Sequence, residues 1–184
     1  MRRQRRPPHV ISNEHFILHK YLDRNGCFDY ESYRRIQEAV NKRKLGEVWV
    51  IPENIAFLAE FILGCIPKPT FGLYHGTRRG KEQDWFRESL HCELIWTEIS
   101  DSATLFPHTI QWDFHEAKPE WNGSLDFIYS NSLDHGFDPK ACLATWMSCL
   151  KSEGLCILEH STYHSALGRA NSTLSVLQSR SCHS

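Results

Sequence analysis

The feature that most constrains the fold of this chain is a change of hydrophobic period near residue 67. From there to residue 160, short apolar runs alternate with longer stretches of helical pattern. This alternation is typical of parallel strands joined by helices. We predict strands over residues 71–74, 93–97, 109–112, 125–129 and 155–158, and helices over residues 81–90 and 139–150. The expected fold class is α/β, a Rossmann-like three-layer sandwich with five mainly parallel strands.

Two helices are predicted before this region. The first follows Asp29, a capping residue, and carries an aromatic and aliphatic stripe opposite a basic face. The second begins at Pro52, carries apolar residues at helical spacing and stops at Gly64. These helices are expected to cover one edge of the sheet or the mouth of a ligand site.

The end of the chain differs in composition from the rest. Residues 165–184 contain six serines and only a weak apolar pattern, which predicts one marginal helix or disorder. We therefore divide the chain into an N-terminal helical extension over residues 1–66, a Rossmann-like domain over residues 67–164 and a Ser-rich tail over residues 165–184.

Charge and cysteine content restrict the compartment and the partners. The formal net charge is −1, which provides no global attraction to nucleic acid or to an anionic membrane. No apolar run is long enough for a transmembrane helix or a signal peptide. Seven cysteines without a CxxC pair predict buried thiols in a reducing compartment. We expect a soluble, cytoplasmic protein and leave its oligomeric state open.

Polar residues follow the predicted strands at their carboxyl ends. The first strand runs into a loop that contains Gly76, and a glycine there lets a ligand approach the backbone. Glu98 lies 22 positions later, at the end of the second strand, where a carboxylate can accept both hydroxyls of a ribose. Asp113 ends the third strand, beside the expected position of a base with an exocyclic amine. The pattern predicts a nucleotide-like ligand.

The end of the fourth strand is the expected position of a reacting centre. It carries the polar residues Ser130, Asn131, Asp134 and His135. Histidine ordinarily titrates near neutrality, so His135 is the candidate general base, with Asp134 beside it. Each of these residues also has a structural interpretation, as a turn residue or an exposed side chain.

Together these segments resemble class I S-adenosylmethionine-dependent methyltransferases. The matching runs are GLYHGTRRGKEQ, TEIS, WDFHEAKPEW, DFIYSNSLDH and GLCILEH, and they lie within residues 67–160. The resemblance is to a branch whose first loop reads HGTR in place of the usual glycine-rich string. It implies S-adenosyl-L-methionine as cofactor and methyl transfer to an unidentified small molecule.

The resemblance also implies roles for individual residues. The Gly76 loop would lie beneath the methionine part of the cofactor, with Glu98 on the ribose and Asp113 near the adenine. Ser130 or Asn131 would line the far side. The complete set of implied cofactor contacts is His75, Gly76, Thr77, Glu98, Ile99, Asp113, Phe114, Ser130 and Asn131. Methyl transfer needs mainly a well-placed nucleophile, so the base His135 is optional.

Departures from the family pattern define the main alternative. The family loop has an acidic residue and three glycines, whereas this chain has Gly72 for the acid and Tyr74 and Arg78 for two glycines. The family sheet also ends in an antiparallel hairpin, whose strands are missing from the predicted elements. The alternative function is therefore a catalytically inactive, truncated methyltransferase-like binding domain.

Three other classes of function have less support. A nicotinamide oxidoreductase would need G-x-G-x-x-G after the first strand, and the chain lacks it there. RNA binding rests on the arginines among the first six residues and on the basic helix face. The pairs His15 with His19 and His160 with His164 have helical spacing but no diagnostic acidic or cysteine partner, so no metal is predicted.

Overall fold

From residue 71 to residue 161 the chain forms strands that are joined by helices or by short 3₁₀ turns, and the change of hydrophobic period predicts these strands. The computed structural model describes residues 9–12, 17–47, 50–80, 82–161 and 172–179. The first elements are β1 (His9–Ser12), β2 (Ile17–Lys20), α1 (Tyr30–Arg43) and α2 (Pro52–Cys65). They are followed by β3 (Phe71–His75), α3 (Glu82–Leu90), β4 (Glu93–Glu98), β5 (Thr109–Gln111), β6 (Leu125–Ser130), α4 (Pro139–Cys149), β7 (Leu150–Ser161) and β8 (Ser172–Gln178).

The main sheet has six strands in the order β5-β4-β3-β6-β7-β8. Strands β3 to β7 pair in parallel, and β8 pairs antiparallel with β7. The predicted α/β fold class is therefore confirmed. A separate antiparallel pair, β1 with β2, precedes α1 and was not expected from the sequence.

The structure corrects the prediction for the tail. Residues 172–178 form β8, so this part of the tail is neither helical nor disordered, and the sheet has six strands instead of five. One of the antiparallel strands considered missing is thus present. Pairing with β7 supplies partners for backbone groups along the outer edge of that strand. The pairing that stabilises β8 depends on a segment distant in sequence. The weak local pattern therefore did not reveal the strand.

The helices begin where the capping residues predict. Asp29 and Asp138 each accept a backbone hydrogen bond in the first turn of α1 and α4, at 3.0 Å. Pro52 occupies the first turn of α2. That helix includes Gly64 and ends at Cys65, one residue beyond the predicted stop.

Helices cover both faces of the sheet, which makes the sandwich three layers thick. One face packs against α2 and α3 through Val50, Ile55, Leu58, Ala59, Ile62, Tyr74, Phe86, Leu90, Leu94, Trp96, Phe127, Tyr129, Leu155 and Ile157. The other face packs against α4 and the segment before β6 through Leu73, Phe114, Trp121, Leu125, Ile128, Cys142, Trp146, Cys149, Leu150 and Cys156. Burial of these apolar surfaces is the main stabilising contribution to the fold.

Asp126 joins the amino ends of three strands on the edge of the sheet opposite the predicted ligand site. Its carboxylate accepts hydrogen bonds from the backbone N–H groups of Thr70 and Phe71 at 2.6 and 2.9 Å. Lys151 Nζ lies 2.8 Å away. Burial raises the pKa of Asp126, but the bonds from Lys151, Thr70 and Phe71 outweigh it and hold the pKa below its ordinary value. A cleft of about 210 Å³ lies at this edge.

The thiols follow the prediction only in part. Cys142, Cys149 and Cys156 are buried, whereas Cys27 and Cys65 are exposed. Among the described cysteines none forms a disulfide. Within the described ranges, no helix combines the length and the apolar character that a membrane crossing requires.

Candidate functional site

The predicted site residues gather at the carboxyl edge of the parallel strands. Strand order reverses there, because β4 and β5 lie on one side of β3 and β6 and β7 lie on the other. His75 is in register with Thr97 on β4 and with Ser130 on β6, so the loops after these strands begin at one level. Open α/β sheets bind ligands in the crevice at such a reversal.

Gly76 lies where the loops after β3 and β6 touch. Its φ is +77°, a left-handed value that favours glycine. A Cβ on this residue would lie 2.6 Å from Cβ of Ser132, and Ser132 Oγ is 3.1 Å from the Gly76 carbonyl oxygen. The N–H groups of Gly76 and Thr77 both donate to the Thr97 carbonyl, at 3.0 and 3.1 Å. The backbone at the crevice is therefore fixed before any ligand binds.

The departures from the family loop have a structural explanation. A Cβ at Gly72 would lie 2.2 Å from the Phe127 ring, so no acidic side chain fits at that position. The side chain of Tyr74 packs into the α2 and α3 face beside Trp96 instead of occupying the edge. Arg78 extends toward the segment after α1, where its guanidinium donates to the Glu47 carbonyl at 3.2 Å. The side chains of Tyr74 and Arg78 are thus held by packing and by a backbone carbonyl.

Glu98 is a buried carboxyl at the end of β4. Only 4% of it is exposed, and its Oε1 accepts a hydrogen bond from the Ser100 N–H at 2.9 Å. Burial raises the pKa of Glu98 to about 8, although the Ser100 bond and the charge of Arg78 oppose the shift. New donors at this carboxyl would favour its ionised form. The half-buried Ile99 follows, and its carbonyl accepts from Gln111 Nε2 at 3.1 Å.

Asp113 follows β5 and is held by groups from two directions. Its Oδ1 accepts from the N–H and the Nδ1 of His115 at 2.9 and 2.6 Å, and its Oδ2 accepts from the Tyr30 hydroxyl at 2.8 Å. The Asp138 N–H donates to Nε2 of His115, at 3.4 Å, which places the ring proton on Nδ1. Burial raises the pKa of Asp113, but the hydrogen bonds outweigh it and the pKa lies below its ordinary value.

Three predicted contacts have side chains that point into the interior. His75 is 1% exposed, stacks on Trp146 at 4.8 Å and has its Nδ1 2.8 Å from Thr97 Oγ1. Burial lowers the pKa of His75 to about 3. Phe114 packs against the same Trp146, and Ser130 Oγ donates to the His75 carbonyl at 3.0 Å. Side-chain contacts to a ligand at the edge are not available to these residues, because the core needs their side chains for packing.

The residues after β6 stay at the surface. Asp134 and His135 are exposed on a short 3₁₀ turn, Leu133–His135. Asn131 is half-buried, and its Oδ1 lies 3.1 Å from Ser132 Oγ. The candidate base His135 therefore follows β6, the fourth of the predicted strands, and its side chain is exposed.

Two polar features of this edge were missed in the sequence. Tyr30 was assigned to an apolar helix stripe, and nothing in its local pattern indicates a bond to a carboxylate 83 positions away. Glu159, near the end of β7, accepts hydrogen bonds from Tyr129 and from Asn54 Nδ2, the latter at 3.4 Å. Both features join the N-terminal helices to the sheet, and such pairs follow from the tertiary fold alone.

Some predictions concern residues outside the described ranges. These are the arginines of the first six residues and the partners His15 and His164 of the histidine pairs. Among the described residues, no group of three or more His, Cys, Asp or Glu side chains is arranged to hold a metal ion.

Solved structures share this fold, although no protein-family profile and no curated protein matches the sequence. The 1,6-didemethyltoxoflavin-N1-methyltransferase of Burkholderia thailandensis, with bound 1,6-didemethyltoxoflavin and S-adenosylhomocysteine, matches with a TM-score of 0.56 and 14% identity, over 84% of this chain and 72% of that chain. The plantazolicin methyltransferase BpumL in complex with SAH matches with a TM-score of 0.52 and 15% identity, over 71% and 51%. DesVI of Streptomyces venezuelae matches with a TM-score of 0.51 and 12% identity, over 73% and 58%.

At these identities the likeness shows the fold and nothing finer. The chain shares its Rossmann-like fold with these two methyltransferases, and the resemblance implied such a fold. It spans 51% of the length of the plantazolicin enzyme and 58% of the length of DesVI.

Proposed function

We propose that this protein is an S-adenosylmethionine-dependent methyltransferase that acts on a small molecule. The observation that carries the proposal is Glu98, a buried carboxyl at the end of β4 and beside the strand-order reversal that Gly76 marks. A carboxyl in this position suits the two hydroxyls of a ribose. Structural neighbours with bound S-adenosylhomocysteine support the same choice of cofactor.

Groups along this edge, taken in order from β5 to β6, fit the successive parts of the cofactor. Asp113 and Ile99 would face the adenine, Glu98 the ribose, and the loop of Gly76 and Thr77 the methionine part. The backbone of His75, Phe114 and Ser130, together with Asn131, would complete the walls. When bound, the cofactor supplies a methyl group on a positively charged sulfur atom, which a nucleophile can accept directly.

The side of the crevice over β6 and β7 remains for the methyl acceptor. His135 is the candidate base there: it would take a proton from the acceptor's nucleophilic atom as that atom gains the methyl group, with Asp134 beside it. Acceptors that carry a neutral amine or a thiolate need little help of this kind. The role of the chain is then chiefly to hold both reactants in line and to exclude water.

The alternative of an inactive, truncated relative is less well supported by the structure. It rested on missing C-terminal strands and on the departures in the first loop. Strand β8 provides antiparallel closure of β7, and the departures in the first loop are accommodated by packing and hydrogen bonding. We therefore keep the active enzyme as the proposal.

The proposal predicts cofactor binding that depends on Glu98. Calorimetric titration with S-adenosylmethionine and S-adenosylhomocysteine is expected to show micromolar affinity, weakened roughly tenfold or more in Glu98→Gln, because hydrogen bonds to a charged group contribute about 1.5–3 kcal/mol. Since the pKa of Glu98 is raised to about 8, binding near pH 7 should release a proton, seen as a dependence of the binding heat on buffer ionisation enthalpy. Glu98→Gln should abolish the proton release.

The matched control for this titration is Glu93→Gln. Glu93 begins the same strand at its opposite end and is exposed, so its loss should leave both affinity and proton release unchanged. Absence of binding by the folded wild-type protein would refute the proposed function. Wild-type affinity in Glu98→Gln would remove the ribose assignment while leaving the cofactor in place.

A further inference from the structure

Helix α1 lies across the whole candidate cofactor edge. The chain around it reaches the loops after four successive strands of the sheet. Its contacts are Arg78 Nη1 to the Glu47 carbonyl at 3.2 Å, Lys42 Nζ to Asp101 at 2.7 Å, Ser102 Oγ to Asn41 Oδ1 at 3.2 Å, the Tyr30 hydroxyl to Asp113 at 2.8 Å, and the ring of Tyr33 to that of Phe137 at 4.9 Å. A ligand that lies along this edge must therefore share it with α1.

The contacts at the two ends of α1 differ in strength. The pair of Lys42 and Asp101 is exposed on both sides, 48% and 62%, and such surface pairs contribute little. The pair of Tyr30 and Asp113 is formed between a half-buried hydroxyl and a carboxylate that is 9% exposed. Hydrogen bonds to a charged acceptor in such surroundings are among the stronger ones. The amino end of α1 is thus held by the bond to Asp113 together with the buried ring of Tyr33.

The two oxygens of Asp113 are not equally accessible to a ligand. Both donors from His115 converge on Oδ1, and they belong to the same loop as Asp113 itself. Oδ2 accepts from Tyr30, which comes from a different part of the chain. An exocyclic amine that is to donate to Asp113 therefore approaches Oδ2, where the hydroxyl of Tyr30, on the overlying helix α1, already lies 2.8 Å away.

We infer that Tyr30 is a latch on the adenine end of the cofactor site, and that the amino group of the adenine competes with its hydroxyl for Oδ2 of Asp113 and displaces it. The inference rests on the proposed function, since it takes Asp113 as the adenine contact. In the ligand-free protein the hydroxyl keeps the buried carboxylate hydrogen-bonded and α1 docked. Upon binding, the amine replaces the hydroxyl at Oδ2 and the amino end of α1 moves aside.

The test compares Tyr30→Phe with the wild-type protein and with Tyr21→Phe. The phenylalanine keeps the ring that packs near Phe28 and Phe137 and removes only the hydroxyl. Tyr21 also contacts α1 through its hydroxyl, which accepts from Gln37 Nε2 at 3.4 Å, but it has no bond to Asp113. Two quantities are measured: hydrogen exchange of the amides of α1 without ligand, and the Kd of S-adenosylhomocysteine.

Tyr30→Phe is expected to speed exchange at the amino end of α1 and to tighten S-adenosylhomocysteine binding roughly tenfold, the effect of removing one hydrogen bond to a charged group. Tyr21→Phe should show neither change. Unchanged or weaker binding in a folded Tyr30→Phe protein overturns the latch.

Failure of the proposed function has a different signature. If neither protein binds S-adenosylhomocysteine, the cofactor assignment is lost, and hydrogen exchange alone decides about Tyr30. Faster exchange in Tyr30→Phe then still supports a latch on α1, whereas unchanged exchange overturns it.

Discussion

Gly76 combines two constraints that can be separated by experiment. Its φ of +77° is costly for any other residue, and a Cβ would lie 2.6 Å from Ser132. Gly123 has a φ of +60°, but a Cβ on that residue would have no neighbouring atom within 4 Å, so it experiences the first constraint alone. The pair therefore distinguishes backbone strain from steric contact at the crevice.

We expect Gly76→Ala to lower the free energy of unfolding by about 2–4 kcal/mol and Gly123→Ala by only about 1–2 kcal/mol. Urea denaturation of both variants at one pH measures the difference. Equal losses in the two variants would show that the loop after β6 yields to a methyl group at Gly76.

The sequence placed the candidate site residues at or near strand ends but did not show the direction of their side chains. Glu98 and Asp113 were placed correctly at strand ends, because an acidic residue after an apolar run marks the end of a strand. His75 and Ser130 were also selected, yet their side chains serve the interior. A strand that is buried on both faces shows no alternation of apolar and polar residues. Its sequence therefore does not tell toward which face each side chain points.

At the scale of elements, the amino ends of β3, β6 and β7 depend on one carboxylate. Asp126 accepts hydrogen bonds from the backbone before and within β3 and lies beside Lys151 of β7. Its removal leaves these donors without their partner in a partly buried place, which costs more than the loss of an exposed pair.

Asp126→Ala is accordingly expected to lower the free energy of unfolding by about 2–4 kcal/mol. Glu120→Ala is the control, because Glu120 is 65% exposed and lies 4.0 Å from Lys118, and it should change stability by less than about 0.5 kcal/mol. Urea denaturation at pH 7 provides both values. A loss below about 1 kcal/mol in Asp126→Ala would mean that water replaces the carboxylate at this edge.

Elements differ in how far local sequence determines them. Helices α1 and α4 were predicted with their first residues, because their capping aspartates act within one turn. Strand β8 was missed, because its existence depends on the free edge of β7. The short strands β1 and β2 were missed because, within the described residues, the pairing that forms each of them is with the other.

At the scale of the whole molecule, two buried groups give stability opposite dependences on pH. The pKa of Glu98 is raised from 4.5 to about 8, so its contribution is complete below pH 4.5 and is lost as the pH rises to 8. The pKa of His75 is lowered from 6.5 to about 3, so its contribution is complete above pH 6.5 and is lost as the pH falls to 3. Between pH 4.5 and 6.5 the free energy of unfolding loses the contribution of Glu98 as it gains that of His75, so the two dependences on pH oppose each other.

We therefore expect a plateau of maximal stability between about pH 4.5 and 6.5, with a loss of roughly 2 kcal/mol by pH 8 at about 1.4 kcal/mol per pKa unit. Urea denaturation across this range measures the curve. Glu98→Gln should reduce the loss between pH 6.5 and 8, and Glu93→Gln should retain it. A wild-type stability that does not fall between pH 6.5 and 8 would contradict the buried, protonated state of Glu98.

The position of α1 across the strand ends also sets the order in which the protein can be completed during synthesis. The strand-end loops that contact α1 and the segment after it all lie later in the chain, from Arg78 to Phe137. Helix α1 therefore leaves the ribosome before the loops on which it docks have been synthesised. The part of its apolar stripe that packs on those loops is exposed to solvent while the sheet assembles. Helix α1 is thus synthesised early and docks late, and it covers the ligand edge only after the strands beneath it have formed.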